Sequence, residues 1–152
     1  MTHKLFSKLL LFISFIILLI GCKEHINNKN IKEFDETLSK HLKAIENRDL
    51  KLLLETVNRD KIVLILPNGK YSDSFDTYRE VNQDWFSDLS WEISYTISDK
   101  IVNEKTGIVT LKINYINKET NQTELNYYLT LIFKRLNDGW KLVHDQNTII
   151  KK

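Results

Sequence analysis

From Trp91 onward apolar residues fall at every second position, whereas before it they fall at every third or fourth. That change of period limits the fold more than any other feature, because the first pattern builds strands and the second builds helices. The alternation predicts four strands whose inward sets are Trp91, Ile93, Tyr95 and Ile97; Val109, Leu111, Ile113 and Tyr115; Leu125, Tyr127, Leu129, Leu131 and Phe133; and Trp140, Leu142, His144 and Gln146. The polar links at 103–107, 117–121 and Asn137-Asp138-Gly139 carry turn residues, so the strands form an antiparallel meander.

Upstream, Ile31, Phe34, Leu38, Leu42 and Ile45 are spaced as one face of an amphipathic helix. Asp49 is placed to accept from the free amides of a second, short helix that turns Leu50, Leu53, Leu54 and Val57 inward. The run Ile62–Leu66, closed by Pro67, reads as a buried strand turned at Asn68-Gly69, a pair suited to positive φ. A third helix starts at Ser72–Ser74 and carries Phe75, Tyr78, Val81, Trp85, Phe86 and Leu89 on an unusually aromatic face. The expected fold is α+β, one domain over 31–152 with three N-terminal helices packed on a curved antiparallel sheet.

The first 21 residues have a different character. Lys4 and Lys8 precede a run from Leu9 to Ile20 that is apolar apart from Ser14. It is long enough for a secretion signal and short of the ~20 residues of a membrane span. Leu19-Ile20-Gly21-Cys22 resembles the lipobox of bacterial lipoproteins. The resemblance implies cleavage before Cys22, acylation of its thiol with palmitate-like chains, and residence in the cell envelope, facing the periplasm or the exterior. Residues 22–30 then read as a lipidated tether, polar apart from Ile26 over Lys23–Asn30. Cys22 is the only cysteine, which excludes an intramolecular disulfide and any cysteine-based metal site.

Charge excludes further classes. The chain has 22 Lys and Arg against 20 Asp and Glu, and Lys4 and Lys8 account for the difference. The remaining charges are interspersed, without the basic stripe a nucleic acid requires. The four histidines do not cluster: His3 lies in the signal, His25 in the tether and His41 on the first helix. No metal or other cofactor is expected, and neither a glycine-rich phosphate loop nor a nucleophile elbow is present.

Pro67-Asn68-Gly69-Lys70 leading into the helix with Trp85-Phe86, and the closing run Asp138-Gly139-Trp140-Lys141-Leu142-Val143-His144-Asp145-Gln146, resemble the SnoaL-like branch of the nuclear transport factor 2-like (NTF2-like) superfamily. The resemblance spans roughly Ile31 to Ile149. It implies a cone whose concave face, lidded by helices, encloses an apolar pocket. By strand parity Tyr95, Asp99, Tyr115, Tyr127, His144 and Gln146 share that face, and Trp85 faces it from the third helix. Each tyrosine reads either as a pocket group or as a core ring with its hydroxyl at an edge. His144 reads as a satisfied core residue, a ligand contact or a general base. Asp99 reads as a rim carboxylate, and Asp145 falls on the outward parity, which separates it from His144.

Three functions follow as expectations: binding of a small hydrophobic or amphipathic molecule without catalysis; an isomerase or cyclase with His144 as base; and a protein-interaction module of the envelope. On the outward face Ile108, Tyr128, Ile132 and Val143 interrupt a polar set and suggest a homodimer through the sheet.

Overall fold

The structure is a computed structural model that describes residues 28–151. The signal, Cys22 and the tether as far as residue 27 lie outside the described residues. Helix α1 runs through residues 28–46. The last three residues assigned to the tether are therefore helical, and Asn30 is buried, because its amide donates to Asn103 O at 3.0 Å and its carbonyl accepts from Arg135. Phe34, Leu38, Leu42 and Ile45 are buried as the spacing requires. Helix α2 (Leu50–Glu55) is capped by Asp49, which accepts from Leu52 N at 2.9 Å. Helix α3 (Phe75–Ser87) is capped by Ser74. Leu89, predicted to extend the aromatic face, lies past its end and is exposed. Among the described residues no helix is long and apolar enough to cross a membrane.

The strands are β1 (Val63–Ile65), β2 (Tyr71–Ser72), β3 (Trp91–Val102), β4 (Thr106–Asn117), β5 (Gln122–Leu136) and β6 (Gly139–Ile149). They form one sheet in the order β2-β1-β6-β5-β4-β3. The predicted meander is β3 to β6, antiparallel throughout, and β1 joins its far edge parallel to β6. The β1–β2 hairpin turns at Asn68-Gly69, with Gly69 at φ +83°.

Bulges in this ladder decide which side chains face inward. Phe133 pairs with Leu142, but Ile132 pairs with His144, so Val143 is an extra residue in β6. Ser98 is likewise extra in β3, between the pairs Ile97 with Leu111 and Asp99 with Thr110. An extra residue reverses the parity of everything beyond it. The predicted inward placement of Asp99, His144 and Gln146 is thereby corrected: all three lie on the outer face, and Asp145, read as outward, turns in and is buried. On the outer face the reversal aligns Ile101, Ile108, Ile132, His144 and Val63 in one cross-strand row.

The inner face is solid where α1 crosses it. Phe34 meets Phe133 and Trp140 edge-on at centroid distances of 5.5 and 5.3 Å, and His41 meets Phe133 at 5.8 Å. Gly107 admits this approach, since a side-chain carbon there would overlap the Phe34 ring.

Candidate functional site

Past Phe34 and His41 the inner face stays open, and a cavity of about 410 Å³ remains between the sheet, α3, the β1–β2 turn and Ile45 near the end of α1. The size lies toward the lower end of small-molecule sites, roughly 300–1,000 Å³. Leu64, Leu66 and Pro67 come from the hairpin, Val81, Asn82 and Trp85 from α3, and Ile93, Tyr115, Leu125, Tyr127 and Leu129 from the meander. Asp145 and Asn147 of β6 complete the wall, with Glu124 from the bulged start of β5.

Of the side chains singled out by sequence, the structure brings Trp85, Tyr115 and Tyr127 together in this cavity. Tyr127 is buried, and burial followed by the neighbouring Asp145 charge pushes its hydroxyl well above the usual phenol range. Tyr95 keeps its predicted face but does not line the cavity; partial burial and the Glu46 carboxylate beside it raise its pKa. His144 and Gln146 are absent from the lining, and their side chains contact each other on the outer face, Nε2 to Oε1, at 3.2 Å. The exposed Asp99 sits with them on that face. Among the described residues no cluster of three or more His, Cys, Asp or Glu could hold a metal ion.

The residues that sequence reasoning missed are Asp145, Asn147 and Asn82. Asp145 is only 8% exposed. Its Oδ1 accepts from the Asn147 amide at 3.0 Å, and the same amide donates to Ile65 O at 3.0 Å, which ties β6 to β1 beneath the cavity. Burial pushes the Asp145 carboxyl up to about 7, with the Asn147 hydrogen bond acting in the opposite direction. The Asp145 charge also adds to burial in raising the hydroxyl pKa of Tyr78 on α3. A carboxyl that changes state near neutrality, set in a largely apolar wall, can accept a proton, donate one or pair with a ligand charge.

The aromatic side of the wall is braced from behind. Trp91 stacks on Trp85 at 4.5 Å, donates from Nε1 to Trp85 O at 3.0 Å and carries the Arg48 guanidinium 4.0 Å over its ring. Arg48 also donates to the carbonyls of Trp91 and Asp88. Trp85 is thus held against the sheet by Trp91, with Arg48 from just past the end of α1 behind it.

Known proteins were compared with this arrangement. Residues 35–150 match the family model described as SnoaL-like domain. No curated protein matches the chain. Among solved structures, a proposed dehydratase of the NTF2-like family from Streptomyces avermitilis superposes with a TM-score of 0.70 at 14% identity, over 82% of this chain and 99% of that one. An NTF-2 like protein of unknown function from Shewanella oneidensis gives 0.64 at 17% identity, over 78% and 98%. A domain from Thiobacillus denitrificans, assigned as a calcium/calmodulin-dependent protein kinase type II association domain, gives 0.68 at 13% identity, over 77% and 94%. At these identities the structural likeness establishes the fold, an NTF2-like helix-on-curved-sheet architecture.

Two buried groups make stability depend on pH in opposite senses. Asp145 has a folded pKa of about 7 against an ordinary 3.8, so as pH rises between these values the unfolded chain ionises first and stability is lost. Burial lowers His41 from 6.5 to about 3, so the unfolded chain binds the proton first as pH falls and stability is lost in acid. Asp145→Asn is expected to raise stability by roughly 1–4 kcal/mol above about pH 7 and by little below about pH 4. Urea denaturation at both pH values checks this; an equal effect at both would show that Asp145 does not retain its proton on folding.

Proposed function

Because this chain belongs to the SnoaL-like domain family, we propose that it binds one small, largely apolar molecule in the cavity and presents it with the Asp145 carboxyl. The observation that carries this reading is the open apolar chamber with a single buried acid on its wall. Apolar walls supply affinity through the area they remove from water, and a few polar tips fix orientation. Native mass spectrometry of the full chain, released from detergent micelles, is expected to carry extra mass that leaves on denaturation. Val81→Trp, which extends an aromatic ring into the chamber from α3, should weaken that occupancy by at least about tenfold. Full occupancy in that variant would place the ligand elsewhere.

The row of Ile101, Ile108 and Ile132 supports a homodimer through the outer face of the sheet, with the His144 side chain at its edge. Ile101 is 57% exposed, and burying such a row against a copy of itself removes apolar surface from water. The same spectra read this directly: a dimer peak is expected, and Ile132→Glu should abolish it.

A second reading has one observation in its favour, the buried Asp145 carboxyl on the chamber wall, which burial pushes up to about 7 and so suits to proton abstraction in an isomerase-type reaction. The base is then Asp145 rather than His144, which faces away from the cavity. Deuterium uptake from solvent at the α-carbon of an enolisable ketone should be lost in Asp145→Asn and kept in His144→Ala. Uptake indifferent to Asp145 would remove the catalytic reading and leave binding.

The lipoprotein reading rests on the signal pattern and Cys22. Acyl chains contribute about 0.8 kcal/mol per buried methylene, so a multiply acylated terminus stays on its membrane. Cells fed labelled palmitate should incorporate it into this protein and fail to do so in Cys22→Ser; label in both would place any acylation at another residue.

A further inference from the structure

We propose that the ligand's polar end is a cation, an amine or quaternary ammonium carried on a small apolar body. This rests on the binding reading above and specifies the chemistry of the same chamber. The lining includes two carboxyl side chains, Asp145 and Glu124, and no Lys, Arg or His. Arg48 is close to the aromatic brace, but its guanidinium is committed to the Trp91 ring and to two backbone carbonyls.

Asp145 is nine-tenths buried, and its Oδ1 takes the Asn147 amide. Its Oδ2 has no hydrogen-bond or ion-pair partner among the described residues. A carboxylate held this way lacks a counter-charge in surroundings where charge is costly, and leaving it unpaired is the expensive state. A ligand cation at Oδ2 supplies the missing charge. An anion meets two like charges. A neutral acceptor at Oδ2 requires Asp145 to keep its proton and draws nothing from the second carboxyl side chain, Glu124.

The aromatic wall favours the same ligand. Trp85, Tyr115 and Tyr127 line the chamber, and ring faces carry the negative end of an aromatic quadrupole. Trp91, one layer behind, already carries a guanidinium over its ring. Asn82 adds an uncharged amide side chain from α3 to the lining.

Three water-soluble probes of one shape separate the possibilities: phenethylamine, phenethyl alcohol and hydrocinnamate, titrated by calorimetry into the full chain in detergent at neutral pH. The amine is expected to bind at least about tenfold more tightly than the alcohol, with the carboxylate weakest. Asp145→Asn, nearly isosteric, should erase the preference for the amine while leaving alcohol binding in place. The rim variant Glu124→Gln should reduce it by a smaller factor, and Glu124 is exposed, so this variant tests the charge argument without disturbing the core. Alcohol or carboxylate binding as tight as the amine overturns the cation inference while the pocket reading stands. Binding of none of the three overturns both.

Discussion

A curved sheet of long strands has more inner face than one helix can cover, and most of this molecule follows from that mismatch. The 15 residues of β5 extend about 50 Å at ~3.3 Å per residue, whereas α1 over residues 28–46 reaches under about 30 Å at ~1.5 Å per residue. Where α1 crosses, Phe34 and His41 seat against Phe133 and Trp140 and close the core. Burial of large side chains of this kind stabilises by roughly 1.5–3 kcal/mol each, so that half of the sheet is firmly packed. The other half must be covered by something else. The short β1–β2 hairpin and α3 cover it at a distance, and the space they leave, closed on one side by Ile45 of α1, is the chamber.

How far that space can vary depends on Trp91. It is 1% exposed at the start of β3 and lies between the sheet and α3, in contact with Trp85, Tyr115 and Arg48. Offset ring stacking adds about 0.5–1.5 kcal/mol beyond area burial, and a partly desolvated cation over a ring contributes on a similar scale. The C-terminal end of α3 is therefore pinned to the sheet. Its N-terminal end is held by the Ser74 cap just after the hairpin and by the buried Tyr78. The chamber accordingly has one rigid aromatic wall and one wall that rests on a two-residue edge strand. Precise placement of a ligand is a property of the first wall.

The helical face of α1, the Asp49 and Ser74 caps, the turn at Asn68-Gly69 and four long strands were legible because each leaves a local mark in the sequence: a period, a capping oxygen, a positive-φ residue. Parity within β4, and in β5 from Leu125 to Phe133, was legible for the same reason, and so Tyr115 and Tyr127 were found. The bulges at Ser98 and Val143 leave no such mark. Val143 is a good strand residue flanked by good strand residues, and nothing in Leu142-Val143-His144 says that two of them face one partner. Beyond the extra residue β6 also pairs with β1, whose parallel register places Leu64 beside Asp145. That pairing joins segments some 80 residues apart in sequence, beyond the reach of any period. The errors of facing at the site, Asp99, His144 and Gln146 placed inward and Asp145 outward, descend from those two residues, whereas Tyr95 keeps its face and simply lies outside the cavity. The expected separation of His144 from Asp145 holds, with their faces exchanged.

His41 and Asp145 are both buried titratable groups, and their surroundings differ in what they imply. His41 lies inside packed aromatic core; the Thr56 hydroxyl donates to Leu53 O at 2.6 Å and so accepts from His41 Nδ1 at 2.7 Å, which fixes the neutral tautomer. Its ring fills volume and ties α1 to the end of α2, a structural task. Asp145 fills no comparable gap, because it borders empty space, and a leucine at the same inward position would extend the apolar wall without the cost of a buried acid. The tie between β1 and β6 does not require it either, since the Asn147 amide reaches Ile65 O on its own. A buried acid with one oxygen unpartnered at the edge of a cavity fits the binding role proposed for it. Within the described structure the candidate site therefore centres on β6 at Asp145, one residue beyond the histidine that strand parity had marked.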